Sequence, residues 1–133
     1  LIPDGVHVAP GAMKVALRAI PKLFVVTDAT AAAGMPDGEY PLGAHTVTKR
    51  DGSVFLDDDT LAGSALTMDQ ALANLLDLGL SLDEASLRTS TYPADFIGRM
   101  DRGRIQAGAW ADLVVLDPAH KLVEVIVEGE AVR

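Results

Sequence analysis

There is no cysteine in these 133 residues, which excludes a disulfide framework and any thiolate metal site and fits a cytoplasmic protein. Basic residues are scarce too. Eleven Lys and Arg stand against 19 Asp and Glu, for a net charge of −8. With no Lys/Arg cluster to offset repulsion from phosphates, non-specific binding to nucleic acid is excluded, although a small anion can still bind locally. No run approaches the roughly 18 uninterrupted apolar residues of a membrane span. The first residues also lack the basic start and apolar stretch of a signal peptide. Nor is there a Met at position 1; Leu1-Ile2-Pro3 reads as the continuation of something upstream, so a fragment or processed piece is expected.

What the chain does have is core. Hydrophobic residues make up 49% of it, ample for one packed domain. Met13, Ala16, Leu17 and Ile20 recur at helical spacing, with Lys14 and Arg18 on another face and Pro21 as the stop, predicting an amphipathic helix over 10–20. Leu23-Phe24-Val25-Val26-Thr27 follows as a strand covered on both faces. After a Gly/Pro-rich loop at 33–38, alternation from Tyr40 to Leu56 around Asp51-Gly52 predicts an inserted antiparallel hairpin. Thr67 with Gln70 matches a capping box before the stripe Met68, Ala71, Leu72, Leu75, Leu76, and Gly79 closes that helix. Ser81 and Glu84 repeat the signature for a helix over 82–90, and Pro93 suits a short helical piece ending near Gly98. Beyond Gly103, 112–117, 121–127 and 131–132, with a Glu128-Gly129 turn, read as small antiparallel strands.

Among candidate functional residues Asp28 comes first. It ends the apolar strand in a carboxylate followed by small residues, and in parallel α/β proteins chemistry collects where such strands end. The same position equally suits a cap on the following turn. His7 stands alone in a loop, where a histidine is either solvated and structural or functional. Leu61-Ala62-Gly63 reads on its own as a turn leading to Thr67. His45, in the hairpin, and His120, in the β portion, are expected at the surface. So are Lys49-Arg50 and the pair Arg102 and Arg104. Trp110 is expected to pack between the α/β and β portions. Three scattered histidines do not make a metal site, which needs three or four ligands close together.

Five motifs run in order along the chain: Asp4-Gly5-Val6-His7; Val26-Thr27-Asp28-Ala29-Thr30 with Ala33-Gly34; Thr60-Leu61-Ala62-Gly63-Ser64; Thr91-Tyr92-Pro93-Ala94; and Gly103-Arg104-Ile105-Gln106-Ala107-Gly108 with Ala111-Asp112-Leu113-Val114-Val115. In these the chain resembles the C-terminal part of the N-acetylglucosamine-6-phosphate deacetylase family, within the amidohydrolase superfamily. The last motif says only superfamily; Asp-Gly-x-His with Thr-Asp-Ala-Thr and Leu-Ala-Gly-Ser points to the deacetylases.

The resemblance implies an α/β fold: residues 1–100 as the closing part of a (β/α)8 TIM barrel with an inserted hairpin, and 101–133 as strands of a small β-sandwich domain. A whole barrel needs about 250 residues, so the N-terminal half is expected elsewhere. It also implies hydrolysis of the acetamido group of N-acetylglucosamine 6-phosphate, an amino-sugar phosphate, to acetate and glucosamine 6-phosphate. Asp28 would be the catalytic general base and then acid. Asp4, Gly5, Val6 and His7 would line the sugar, and Leu61, Ala62 and Gly63 would close over it. A divalent metal of the zinc or iron class belongs to the complete enzyme, with no ligand in this chain. The fragment alone is then expected to be inactive, and the complete protein a homodimer. Two alternatives stand beside this: another amidohydrolase, dihydroorotase- or deaminase-like, acting on a cyclic amide, and a non-catalytic binding module.

Overall fold

The computed structural model describes residues 1–132. The chain is an α/β assembly with two antiparallel sheets. Helix α1 (Pro10–Ala19) carries proline in its first turn and Arg18 in its last, and buries Met13 and Leu17. A meander follows: β1 (Gly38–Leu42), β2 (His45–Arg50), β3 (Ser53–Phe55) and β4 (Leu61–Ser64) pair consecutively and antiparallel. Next come α2 (Met68–Asp77), α3 (Leu82–Ser86), a π-helical turn at Leu87–Thr91 and α4 (Tyr92–Phe96). The second sheet is β5 (Leu113–Leu116), β6 (Leu122–Val127) and β7 (Glu130–Ala131), in that order.

Two apolar clusters hold these elements. One gathers Leu17 of α1, Val25, Leu75 of α2 and Ala85 of α3; the other gathers Ala32, Val47 and Val54 beneath the meander. Each large side chain removed from water in this way contributes about 1.5–3 kcal/mol. Consequently the segment before Asp28 is tied to the helices, and the segment after it to the sheet.

Several expectations are corrected. The 23–27 run is extended but belongs to neither sheet, and its two faces are unequally covered. Side chains alternate along an extended chain: Val25 is fully buried, whereas Val26, on the other face, is 42% exposed. Phe24, on that outer face, is covered by Phe96 with ring centroids 5.1 Å apart. The inserted hairpin is a four-stranded sheet, because Leu61–Ser64 adds to β3 as a strand instead of forming a plain turn. Asp51-Gly52 does make the β2–β3 turn, both residues at positive φ.

Thr67 precedes α2 without a side-chain capping bond, and Gln70 Nε2 donates instead to Asn74 Oδ1 at 2.9 Å. Ser81 does cap, its hydroxyl accepting the Glu84 N–H at 3.2 Å. The two helical pieces expected at 82–90 and 93–98 form one continuous run through the π turn, where Tyr92 N–H reaches back five residues to Leu87 O. Pro93 has no N–H to return to Thr89 O, and the wider turn absorbs that missing bond.

Arg102 and Arg104 are not a solvated face. Arg102 pairs with Asp112 and Glu128, and Arg104 with Asp95. Trp110 is 43% exposed, with the Arg102 guanidinium 4.7 Å from its ring centroid and its indole N–H donating to Asp101 at 3.0 Å. Charged groups at 101 and 102 thus engage both its face and its edge. Lys49 donates to the Met35 carbonyl, and Arg50 bonds Asp59 at 2.5 Å while lying over Phe55. His45 and His120 are exposed. No helix among the described residues is long and apolar enough to cross a membrane.

Candidate functional site

The site is built on a pairing of two extended segments. Val26 N–H donates to Leu1 O at 2.9 Å, and the Leu1 amino group donates to Phe24 O at 3.2 Å. One residue bonded in this manner to both neighbours of another is the parallel pattern, here centred on Leu1 and Val25. Asp4 lies three residues past Leu1 and Asp28 three past Val25. Both motifs therefore leave the same end of adjacent segments, whose spacing in such a pair is about 4.8 Å.

The first motif folds on itself. Asp4 Oδ1 accepts the N–H groups of Val6 and His7, each at 3.0 Å, and Oδ2 lies 2.6 Å from His7 Nδ1. A carboxylate only accepts, so Nδ1 carries the proton in this pair and Nε2 is left for another partner. Burial pushes the Asp4 carboxyl up, but the hydrogen bonds from the His7 ring and from the His7 and Val6 N–H groups outweigh it and hold the group below its ordinary value. Both oxygens of Asp4 are thus engaged in shaping the loop. Gly5 takes a positive φ at its apex, Val6 is half exposed, and the His7 side chain is mostly buried.

The second motif is held by β4. Asp28 is exposed and adopts φ +53°, a left-handed conformation that costs a non-glycine residue about 1–2 kcal/mol. Ser64 N–H donates to Asp28 O at 2.9 Å, and Thr30 N–H donates to Ser64 O at 2.9 Å, so Ala29 and Ser64 form a parallel bridge. The Thr30 hydroxyl adds a third bond to Ser64 O at 3.3 Å. Leu61, Ala62 and Gly63 are partly buried in β4, and Gly63 stands against the Asp28 turn. Of the residues singled out from the sequence, Asp28 and 61–63 are in contact through Gly63, and Asp4–His7 shares their end of the paired segments. The anchoring by Ser64 and Thr30 was not foreseen. Its signal was Thr60–Ser64 itself, whose β-strand character was missed because Gly63 interrupts it.

A cleft of about 440 Å³ opens next to the first motif, lined by Asp4, Val6, Lys49, Ser53, Thr67 and Gln70 among others. Asp28 stands outside it. Among the described residues no three or more His, Asp or Glu side chains converge as a metal site. These residues alone therefore do not fit a divalent metal.

The profile of the amidohydrolase family matches residues 13–132. The N-acetylglucosamine-6-phosphate deacetylase of Vibrio furnissii is 34% identical over 99% of this chain and 34% of its own length. The putative N-acetylgalactosamine-6-phosphate deacetylase of Escherichia coli is 37% identical over 98% of this chain and 80% of its own length. The crystal structure of N-acetylglucosamine-6-phosphate deacetylase from Thermotoga maritima superposes with a TM-score of 0.92 at 40% identity, covering 100% of this chain and 38% of that one. The chain thus spans about a third of the length of the first of these relatives. With nearly its whole length matched in sequence and in backbone, the chain belongs to the amidohydrolase family.

Proposed function

We propose that this chain supplies the general base and part of the sugar pocket of an N-acetylglucosamine-6-phosphate deacetylase, which releases acetate and glucosamine 6-phosphate. The observation that carries the reading is the Leu1–Val25 pairing, which sends the Asp4–His7 loop and Asp28 out of one end of adjacent segments. The names of the similar enzymes supply the substrate class. In this reading residues 1–100 close a (β/α)8 barrel and 101–133 contribute strands of a small β-sandwich. The other barrel strands and the ligands of a divalent metal come from outside this chain.

Chemically, the Asp28 carboxylate takes a proton from the water whose oxygen attacks the acetamido carbonyl. It then gives that proton to the nitrogen as the C–N bond breaks. An amide nitrogen leaves poorly unless protonated, so one group cycling one proton serves both steps. His7, oriented by Asp4 through Nδ1, presents Nε2 to a sugar hydroxyl or carbonyl. Leu61, Ala62 and Gly63 offer main-chain groups to the sugar, and Gly63, without a side chain, stands against the Asp28 turn.

Asp28→Asn in the complete protein tests this. Asn tolerates positive φ, so the turn is kept while the base is removed. Turnover of N-acetylglucosamine 6-phosphate is expected to fall by about 10²–10⁴-fold, with metal content and thermal midpoint held. Unchanged turnover sinks the assignment. Running N-acetylgalactosamine 6-phosphate and a cyclic amide such as dihydroorotate alongside fixes the substrate, and preference for the cyclic amide transfers the chain to another amidohydrolase activity.

A further inference from the structure

We propose that Gly63 is a positioning residue for Asp28: the last strand of the inserted sheet clamps the Asp28 turn, and only the absence of a side chain at 63 lets the clamp close. The proposal rests on the reading of Asp28 as the general base and extends it to the element that holds that base. A Cβ on Gly63 would lie 2.7 Å from Thr30 Cγ2, 3.3 Å from Asp28 O and 3.7 Å from Asp28 Oδ2. The first distance is a clash, and the second is closer than ordinary contact. Gly63 also sits at φ +97°, a conformation that strains any L side chain.

The main-chain bonds on either side explain why so close an approach is held. Ser64, fully buried, donates to Asp28 O and accepts from both the N–H and the hydroxyl of Thr30. Its own hydroxyl accepts the Leu66 N–H at 2.7 Å, fixing the exit of β4. Further back, Thr30 Oγ1 also accepts the Ala32 N–H, and Ala32 is buried with Val47 and Val54 under the sheet. Asp28 thus stands in left-handed backbone at the point where the meander touches the segment from the helices. A side chain at 63 would press Thr30 and the Asp28 carbonyl away, rotating the carboxylate off its line to the reacting atoms. Misplacement of a catalytic group by about 1 Å costs on the order of 10²-fold in rate.

The test uses the complete protein, with N-acetylglucosamine 6-phosphate as substrate. Gly63→Ala is expected to lower kcat by about 10²-fold and to change KM by much less, because the binding groups on the Asp4–His7 loop are untouched even though position 63 itself borders the sugar pocket. Thr30→Ser deletes Cγ2, the atom the new methyl group strikes, and keeps Oγ1. The double variant Gly63→Ala/Thr30→Ser is therefore expected to regain at least a tenth of the wild-type kcat, and thermal midpoints measured alongside, with every assay run well below them, separate positioning from a general loss of stability. Should Gly63→Ala fail to fold, Thr30→Val serves. It removes the hydroxyl bonds to Ser64 O and from Ala32 N–H with Gly63 intact, and is expected to lower kcat several-fold at constant KM. A folded Gly63→Ala with wild-type kcat, a double variant no better than Gly63→Ala, or a Thr30→Val with wild-type kcat overturns the clamp. Asp28→Asn separates the two ideas. If it lowers turnover as expected while a folded Gly63→Ala keeps wild-type kcat, the clamp fails and the base stands; if it leaves turnover intact, the base itself fails.

Discussion

Val25 donates its N–H to the carbonyl of Arg88 at 3.1 Å, and the Arg88 guanidinium reaches around to Leu23 O at 2.7 Å. The helical run is thereby stapled along the segment that leads to Asp28. Only 5% exposed, Arg88 also donates to Leu17 O at the end of α1 and to Glu84 Oε1 one turn back. A single cation joins α1, the π turn and the extended segment.

Replacing Arg88 by Met keeps much of the bulk but strips the donors from Leu17 O and Leu23 O. We expect a loss of about 2–5 kcal/mol, read from the midpoint of denaturant unfolding. Arg88→Lys is expected to fall between the two, since one ammonium cannot reproduce the planar fork. Stability within about 0.5 kcal/mol of wild type for the Met variant would show that the staple carries no weight.

Asp4 sets a pH dependence whose sign follows from its environment. Against the upward push of burial, the His7 and Val6 hydrogen bonds hold its carboxyl below the ordinary value of 3.8 in the folded protein. The stability contributed by the ionised group is therefore complete above that ordinary value and is lost as pH falls through the lower, folded one. In a pH series of unfolding measurements, the advantage of wild type over Asp4→Asn conferred by this carboxylate should be complete just above the ordinary carboxylate range and shrink as pH falls below it. An advantage that grows on acidification contradicts the loop geometry.

Gly103 and Gly11 respond oppositely to the same methyl group. At Gly103, φ is +71° and a Cβ would stand 2.6 Å from Ser90 O and 2.9 Å from Ala94 Cβ, against the π turn and α4. Gly103→Ala should cost at least about 2 kcal/mol. Nothing lies within 4 Å of a Cβ at Gly11, inside α1. There alanine should stabilise by up to about 1 kcal/mol. Calorimetric thermal midpoints of the two variants check both signs.

Much of the fold was legible because its cues are local. The 3.6-residue stripe that buries Met13 and Leu17, the Ser81 cap, the Asp51-Gly52 turn and the Glu128-Gly129 turn each act within a few residues. The failures share another cause. Thr67 has the residue type of a cap, yet Gln70 finds Asn74 and the capping bond is not made. Leu61–Ser64 looked like a turn because Gly63 breaks the strand pattern, and a glycine kept for close approach cannot be told from one kept for a bend. Arg102 and Arg104 looked solvated since their partners Asp112, Glu128 and Asp95 lie nine or more residues away.

By itself the sequence determined which residue types are on offer: a carboxylate ending an apolar run and an Asp-Gly-x-His loop. It determined the helices and turns as well, because propensity, capping and periodicity are properties of neighbouring residues. Only the tertiary structure decided that Leu1 lies beside Val25, that Ser64 grips the Asp28 turn, and that Arg88 binds α1 to the segment before it. Those pairings join residues 24 to 71 positions apart, and such partners are selected by what the packed core brings within hydrogen-bond reach.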